Sequence, residues 1–125
     1  MKIIITGGAG FIGSHLAEFL IKKKYKVVII DNLSTGRIEN IKDFKNKLKF
    51  VKADISKAGK WMNNFKNAQI VFHFAALADI VPSIKSPTTY FKSNVVGTEN
   101  IASVCVKYKV KKIIYTASSS CYGIP

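Results

Sequence analysis

Arginine is scarce in this 125-residue sequence: Arg37 is the single one, beside 19 lysines and 7 acidic residues, and the net charge is +13. A basic chain can bind nucleic acid, because lysine neutralises phosphates and releases their counterions. However, the residue that most often reads base edges is almost missing, and no helix-turn-helix or zinc-finger spacing is present. We therefore interpret the dispersed lysines as solvated surface charge and expect no nucleic-acid partner.

Cysteines, long apolar runs and linkers are also few. Cys105 and Cys121 lack metal-ligand spacing, which predicts no metal site and a reducing compartment, the cytoplasm. No 18 consecutive residues are apolar, so we predict no membrane span, and the apolar run at the start is too short for a secretory signal. Because no repeat or Pro/Gly/Ser-rich linker divides the chain, residues 1–125 are expected to form a single domain.

Apolar runs of strand length alternate with segments of helical periodicity. We predict strands over residues 2–6, 26–30, 48–52, 69–74 and 112–117. We predict helices over residues 11–24, 57–67 and 86–108, the last with Ser86 as its cap and Pro87 in its first turn. Strands that are apolar on both faces and separated by helices predict an α/β fold, a Rossmann-like doubly wound parallel sheet. Ligands are expected at the carboxyl ends of such strands.

A glycine-rich turn follows the first predicted strand and opens the first predicted helix. Its sequence is Thr6-Gly7-Gly8-Ala9-Gly10-Phe11-Ile12-Gly13. Glycines at 7, 10 and 13 allow a tight turn, close approach of the backbone to a pyrophosphate, and close packing of helix on strand. The N–H groups at the helix N-terminus then attract the anion. A purely structural turn is the alternative, but the strand before and the helix after favour a dinucleotide site.

Asp31 closes the second predicted strand, 24 residues after Gly7. A carboxylate there accepts hydrogen bonds from both ribose hydroxyls of an adenosine and repels a 2′-phosphate, which favours NAD over NADP. Two alternatives stay open. The turn-rich sequence over 31–36 is also compatible with Asp31 as a turn cap, and the nearby Arg37 could accept a 2′-phosphate.

Six motifs in order carry a specific resemblance over essentially the whole chain. They are TGGAGFIGSHLAEFL, DNLSTG, ADI, HFAALADIVPSI with a following SP, NVVGTENI and ASSSCYG. The sequence resembles the extended short-chain dehydrogenase/reductase family, in its NAD-dependent nucleotide-sugar epimerase/dehydratase group, and is particularly similar to UDP-glucose 4-epimerases. The resemblance implies an NAD-dependent enzyme acting on a nucleotide sugar, with a UDP-hexose as the expected substrate.

The resemblance also implies a set of cofactor-binding residues. Those that match the pyrophosphate loop are Gly7, Gly10, Phe11, Ile12 and Gly13. Those that match the adenosine-ribose segment are Asp31, Asn32, Leu33, Ser34, Thr35 and Gly36. Those that match the adenine site are Asp54 and Ile55, with an alternative role for Asp54 as a cap before Ser56. Those that match the stretch lining the dinucleotide and its nicotinamide side are Phe74, Ala75, Ala76, Leu77, Ala78 and Asn94.

Ser118 matches the family's catalytic serine or threonine, four residues before Tyr122. Its hydroxyl would donate to the reacting sugar oxygen while a tyrosine moves its proton and hydride passes to or from NAD. Sugar 4,6-dehydratases of this group have Asp-Glu directly after that residue, because eliminating water needs an acid and a base. Ser119 and Ser120 stand there instead. The resemblance therefore favours epimerisation over dehydration and decarboxylation.

The family's Tyr-x-x-x-Lys pair follows the serine, and no such pair occurs after Ser118. The match from Tyr108 to Lys112 precedes Ser118 and straddles a helix end, so we assign it no catalytic role. We expect the chain to be the N-terminal part of a longer, homodimeric epimerase, without its C-terminal strands and substrate lobe and inactive alone. The alternatives are another nucleotide-sugar dehydratase or reductase of the family and a non-catalytic NAD-sensing module.

Two histidines complete the candidates. His15 lies in the first predicted helix and His73 in the fourth predicted strand. We interpret both as packing or surface residues rather than catalytic bases.

Overall fold

The computed structural model describes residues 1–118 and 122–123. Within these residues the strands are Lys2–Thr6 (β1), Lys26–Asp31 (β2), Lys49–Lys52 (β3), Ile70–His73 (β4) and Lys112–Tyr115 (β5). All pair in parallel in one sheet of order β3-β2-β1-β4-β5. The predicted Rossmann-like doubly wound parallel sheet is therefore confirmed.

The centre of the sheet is built from β-branched side chains that are buried on both faces. Ile4 of β1 pairs with Val28 of β2 and Val71 of β4, and all three are at most 1% exposed. Successive side chains of a strand point to opposite faces, so Ile3 and Ile5 face the other layer. Burial on both faces requires a helical layer on each side of the sheet.

Those layers consist of α-helices and 3₁₀ turns. The α-helices are Phe11–Lys22 (α1), Ile80–Lys85 (α2), Pro87–Phe91 (α3) and Gly97–Lys107 (α4). The 3₁₀ turns cover Ile38–Lys47 and Lys60–Phe65, and a π-helical turn covers Lys92–Val96 between α3 and α4. One layer packs Ala17, Leu20 and Ile41 on the sheet, and the opposite layer packs Trp61, Phe65 and Ile101.

The helical predictions needed several corrections. The predicted helix over 57–67 is a 3₁₀ turn of six residues, and the 3₁₀ turns over 38–47 and the helix α2 were not predicted. The long helix over 86–108 is helical throughout 87–107 but contains the π-helical turn. Ser86 occupies the predicted cap position of α3, where its carbonyl accepts hydrogen bonds from the Thr89 and Tyr90 N–H groups, but its side chain makes no capping bond.

Strand β5 is an exposed apolar edge of the sheet, as the sequence leads us to expect. Among the described residues it lies at one edge of the sheet and pairs with β4 alone. Ile113, Ile114 and Tyr115 are 42%, 36% and 60% exposed, whereas the paired residues of β4 are buried or half-buried. The periodicity correctly predicted the strand.

None of the helices in the part of the chain with assigned structure is long and apolar enough to cross a membrane.

We expect Phe65→Ala to destabilise the fold strongly. The Phe65 ring is fully buried and meets the Trp61 ring edge-on, with centroids 5.9 Å apart. Truncating such a side chain leaves a cavity and lowers the free energy of unfolding by about 3–5 kcal/mol. Urea denaturation measures this change. Phe19→Ala is the matched control, because Phe19 is 55% exposed and should lose about 1 kcal/mol or less. Equal losses in the two variants would contradict this assignment of the core.

Candidate functional site

Two cavities open at the carboxyl ends of the strands, on either side of one backbone segment. Phe74, Ala75, Ala76 and Leu77 follow β4 and line both cavities; we call residues 74–77 the wall. The first cavity, of about 90 Å³, lies towards β2 and β3, and the second, of about 580 Å³, lies towards β5. Because all strands are parallel, residues far apart in sequence meet at this edge.

The glycine turn between β1 and α1 reaches the wall at van der Waals distance. Gly7 has a φ of +68°, and a Cβ there would lie 2.7 Å from the Ala75 nitrogen. A Cβ on Gly13 would overlap the Gly7 carbonyl oxygen and lie 2.7 Å from the Gly8 Cα. Position 7 therefore requires glycine, because the backbone has a positive φ and contacts the wall. Position 13 requires glycine because α1 packs directly on the backbone of the turn.

The start of α1 is suited to an anion. Gly10 occupies the N-cap position without a side-chain capping bond, and the first turn of the helix has no acidic residue. The N–H groups at a helix N-terminus carry partial positive charge and attract phosphate. Gly7 and Gly10 line the first cavity, so the cavity adjoins this end of α1.

Asp31 joins the glycine turn to the loop that follows β2. Its Oδ2 accepts a hydrogen bond from the Ala9 N–H at 2.9 Å, and its Oδ1 accepts one from the Leu33 N–H at 2.8 Å. The turn-capping alternative is therefore present in the structure. Each carboxylate oxygen has a second lone pair, so the same group can still accept hydrogen bonds from a ligand hydroxyl.

Asp54 also holds a local turn while lining the first cavity. Its Oδ1 accepts hydrogen bonds from both the backbone N–H and the hydroxyl of Ser56, at 2.9 and 2.8 Å. These bonds form a side-chain turn over residues 54–56. The predicted alternative role of Asp54 as a helix cap is not observed, because the following 3₁₀ turn has Gly59 at its N-cap position. Ile55 beside it is buried, and a Cβ on Gly97 would lie 2.9 Å from the Ile55 side chain, which brings α4 close to the cavity.

Asn94 lies in the π-helical turn, and both the oxygen and the nitrogen of its side-chain amide form hydrogen bonds with the wall. Its Nδ2 donates to the Leu77 carbonyl and its Oδ1 accepts from the Leu77 N–H, each at 2.8 Å. We call this pair of bonds the Asn94–Leu77 clamp. Residues of π-helical turns are often found at functional sites, and Asn94 lines the second cavity.

Ser118 lies beyond β5 at the second cavity. It lines that cavity together with Tyr115, Thr116 and Ala117. Ser119 and Ser120 stand at the positions where sugar dehydratases of the group have Asp-Glu. Both lie outside the described residues, as does Cys121.

Most predicted site residues line one of the two cavities. In the first are Gly7, Gly10, Asp31, Asn32, Ser34, Thr35, Gly36, Asp54, Ile55 and the wall. In the second are Ile12, Ala78, Asn94, Ser118 and again the wall. Three predicted residues line neither cavity: Phe11, Gly13 and Leu33. Phe11 is 77% exposed with its ring 4.6 Å from that of His15, Gly13 acts through packing, and Leu33 contributes its N–H to Asp31.

The polar contacts of His73 were not predicted from the sequence. This residue is 2% exposed, and its two ring nitrogens contact the hydroxyls of Thr6 and Thr98 at 2.6 and 2.9 Å. Burial lowers the pKa of His73 from 6.5 to about 4. The available signal was its position at the carboxyl end of a buried strand, where parallel sheets place ligand sites.

The residues of the described part include no group of three or more His, Cys, Asp and Glu side chains that could hold a metal ion.

Comparison with protein-family models gives a match over residues 3–125 to the family described as "NAD dependent epimerase/dehydratase family". The UDP-glucose 4-epimerase of Bacillus subtilis is 37% identical over 131 residues, which cover 100% of this chain and 39% of that protein.

Solved structures show the same similarity. The UDP-glucose 4-epimerase of Thermotoga maritima, determined with UDP-glucose, gives a TM-score of 0.89 at 35% identity over 96% of this chain and 38% of its own. The UDP-glucose 4-epimerase of Thermus thermophilus, determined as a complex with NAD, gives a TM-score of 0.82 at 34% identity over 90% of this chain and 36% of its own. The chain thus spans less than two fifths of either protein's length.

We expect Gly13→Ala to destabilise the chain. The added methyl group would overlap backbone atoms of Gly7 and Gly8, which cannot move aside without displacing α1. Overpacking of this kind lowers the free energy of unfolding by about 1–3 kcal/mol, which chemical denaturation measures. Gly59→Ala is the control, because a Cβ on Gly59 would lie 3.4 Å from the nearest Trp61 atom and φ is extended there. If Gly13→Ala were as stable as Gly59→Ala, the close packing of α1 on the turn would be wrong.

We also expect stability to fall in acid because of His73. The unfolded chain binds a proton on this histidine with a pKa of 6.5, whereas the folded chain binds it only at about 4. The unfolded state is therefore favoured progressively as pH drops from 6.5 to 4, by up to roughly 3 kcal/mol for this group. Denaturation curves at several pH values measure the slope.

The matched comparison for that slope uses two glutamine variants. His73→Gln should remove this part of the pH dependence, whereas His15→Gln, at an exposed position, should retain it. A slope unchanged by His73→Gln would show that His73 titrates normally in the folded chain.

Proposed function

The chain belongs to the NAD dependent epimerase/dehydratase family, and we propose that residues 1–125 are the NAD-binding Rossmann domain of a nucleotide-sugar epimerase. Within that family, we assign it to the extended short-chain dehydrogenases/reductases that resemble UDP-glucose 4-epimerases. The observation that carries the proposal is the convergence of the glycine turn, Asp31 and the wall around two cavities at one edge of a parallel sheet.

Each part of NAD has candidate partners in these cavities. We assign the pyrophosphate to Gly7, Gly10 and the N-terminus of α1, because the backbone can approach closely there and the helix end attracts anions. We assign the adenosine ribose to Asp31 and the adenine to Asp54 and Ile55, which line the same cavity.

The nicotinamide side belongs to the second cavity. There the wall presents backbone and small alanine side chains, and Asn94 fixes the wall at Leu77. When bound here, NAD would supply the acceptor and donor of a hydride at this side of the site. Holding the nicotinamide against the wall is therefore the task of the chain on this side.

Ser118 is assigned as a catalytic hydroxyl. It lines the second cavity, where a sugar would meet the nicotinamide, and its hydroxyl can donate to the reacting oxygen of that sugar. The Thermotoga maritima relative was determined with UDP-glucose, which supports a UDP-hexose as the substrate class. The residues that follow, Ser119 and Ser120, cannot act as the acid and base of a dehydratase, so epimerisation is favoured.

Two further proposals concern the setting of the protein. We propose a homodimer, because Phe91, Val95 and Val106 expose apolar side chains along the helical segment 87–107 at 57%, 52% and 80%. We propose a reducing compartment, the cytoplasm, because Cys105 is a free thiol.

The coding sequence after codon 125 separates the enzyme from a binding module. An in-frame Tyr-x-x-x-Lys pair would support the epimerase, since that pair supplies the proton-transferring tyrosine of the family. A stop codon directly after Pro125 would favour a module that binds NAD without chemistry.

We expect the chain to bind NAD at least about ten-fold more tightly than NADP, because the Asp31 carboxylate favours ribose hydroxyls and repels a 2′-phosphate. Isothermal titration with each dinucleotide measures the ratio of the two Kd values. Asp31→Asn should bring the ratio close to one, because the charge that repels the phosphate is gone.

Asp43→Asn is the control for that titration, since it removes the same charge from an exposed residue outside both cavities. It should leave the ratio of the Kd values unchanged. Absence of NAD binding, or a preference of the unmodified chain for NADP, would contradict the proposed function.

A further inference from the structure

A continuous chain of hydrogen bonds links three elements next to the wall. The Ala75 N–H contacts the Thr6 hydroxyl at 3.3 Å, and that hydroxyl contacts His73 Nδ1 at 2.6 Å. His73 Nε2 contacts the Thr98 hydroxyl at 2.9 Å, and that hydroxyl donates to the Asn94 carbonyl at 2.6 Å. The chain therefore runs from the wall through the ends of β1 and β4 to the helical segment that carries Asn94.

The direction of every bond in this chain follows from chemistry. A backbone carbonyl only accepts, so the single proton of the Thr98 hydroxyl is used at Asn94. Thr98 can then only accept from His73, which places the proton of the imidazole on Nε2. A neutral imidazole with a proton on Nε2 has a bare Nδ1, so the Thr6 hydroxyl donates to it and accepts from the Ala75 N–H.

The surroundings of His73 keep the imidazole neutral. Its lowered pKa comes from burial, with no contribution from a charged neighbour. The titratable group facing it from β5 is Tyr115, whose ring centroid lies 5.9 Å away, and β1 and α4 face it with the hydroxyls of Thr6 and Thr98. Protonation would place a second donor against the Thr6 hydroxyl and reverse that bond, so the chain requires the neutral form.

The end of the chain meets the Asn94–Leu77 clamp. The Asn94 carbonyl accepts from Thr98, and the Asn94 side chain holds both backbone polar groups of Leu77. The other end of the chain holds Ala75. Two residues of the four-residue wall are thus fixed through one buried histidine, from opposite ends of the same hydrogen-bonded chain.

We propose that His73, with Thr6 and Thr98, is a positioning residue that holds the π-helical turn and the Asn94–Leu77 clamp in register with the wall between the two cavities. In this role it acts through Ala75 and Asn94. His73 and Thr98 also line the second cavity. The expected effect of His73 on the affinity for NAD rests on the proposed function, whereas its expected effect on the structure of the wall does not.

The first test needs no variant. Long-range ¹H–¹⁵N correlation spectra of the chain between pH 6 and 8 report the tautomer of His73. The expected result is a neutral ring with the proton on Nε2 and a bare Nδ1. A proton on Nδ1, or a charged ring at pH 6, would overturn the proposal.

The second test measures amide hydrogen exchange in variants of Thr98. Thr98→Val removes both the acceptor for His73 and the donor to Asn94 while keeping the shape of the side chain. The Leu77 amide should then exchange about ten-fold faster, the factor expected for the loss of a buried hydrogen bond, while the Ile4 amide in the core keeps its rate. Thr98→Ser retains the hydroxyl and should restore the rate of Leu77.

Ser103→Ala is the matched control in the same helix, because it removes a hydroxyl that bonds only to Glu99 on the exposed face. It should leave the Leu77 amide unchanged. Equal acceleration of the Leu77 and Ile4 amides in Thr98→Val would show a general loss of stability and overturn the positioning role, as would an unchanged Leu77 rate.

NAD titration of the same variants separates this proposal from the proposed function. Thr98→Val should raise the Kd for NAD about three- to ten-fold, and Thr98→Ser and Ser103→Ala should not. If the unmodified chain does not bind NAD, the proposed function fails, and the tautomer and exchange data still decide the positioning role. If exchange at Leu77 accelerates and the Kd stays constant, the assignment of the wall to NAD is contradicted.

Discussion

The contact between the backbone of Gly7 and the backbone of the wall is the constraint on which the site depends. At this point two chain segments approach so closely that a Cβ on Gly7 would lie 2.7 Å from the Ala75 nitrogen. The contact brings the start of α1 to the edge of the sheet, next to the wall that lines both cavities. A side chain at Gly7 would push the turn away from the wall and change the shape of the first cavity, which Gly7 lines.

Hydrogen bonds from polar side chains around this contact fix the positions of the loops that meet there. Asp31 ties the glycine turn to the loop after β2, and Asn94 ties the wall to the helical segment 87–107. His73 links the end of β1 to the same helical segment. Each of these groups is placed by a parallel strand or by the helical segment packed on the sheet. The rigid fold therefore fixes loops that would otherwise adopt many conformations.

The parts of the site that depend on local sequence could be predicted. The glycine turn is recognisable because the strand before it and the helix after it are adjacent in sequence, and Asp31 because it ends a buried strand. The Asn94–Leu77 clamp could not be derived, because its partners are 17 residues apart and meet only through the π-helical turn. The hydrogen-bond partners of His73, Thr6 and Thr98, lie 67 and 25 residues away in the sequence, so the local sequence does not indicate them either.

The central claim is that the two cavities and the wall between them form one NAD site. The most direct measurement is the set of backbone amide shifts that NAD causes in a ¹⁵N-labelled chain. The account predicts the largest shifts in the glycine turn, at Ala9 and Leu33 beside Asp31, and at Leu77 in the wall, with little change at the amino ends of the strands, such as Lys26. Shifts confined to the lysine-rich surface, or none at millimolar NAD, would contradict it.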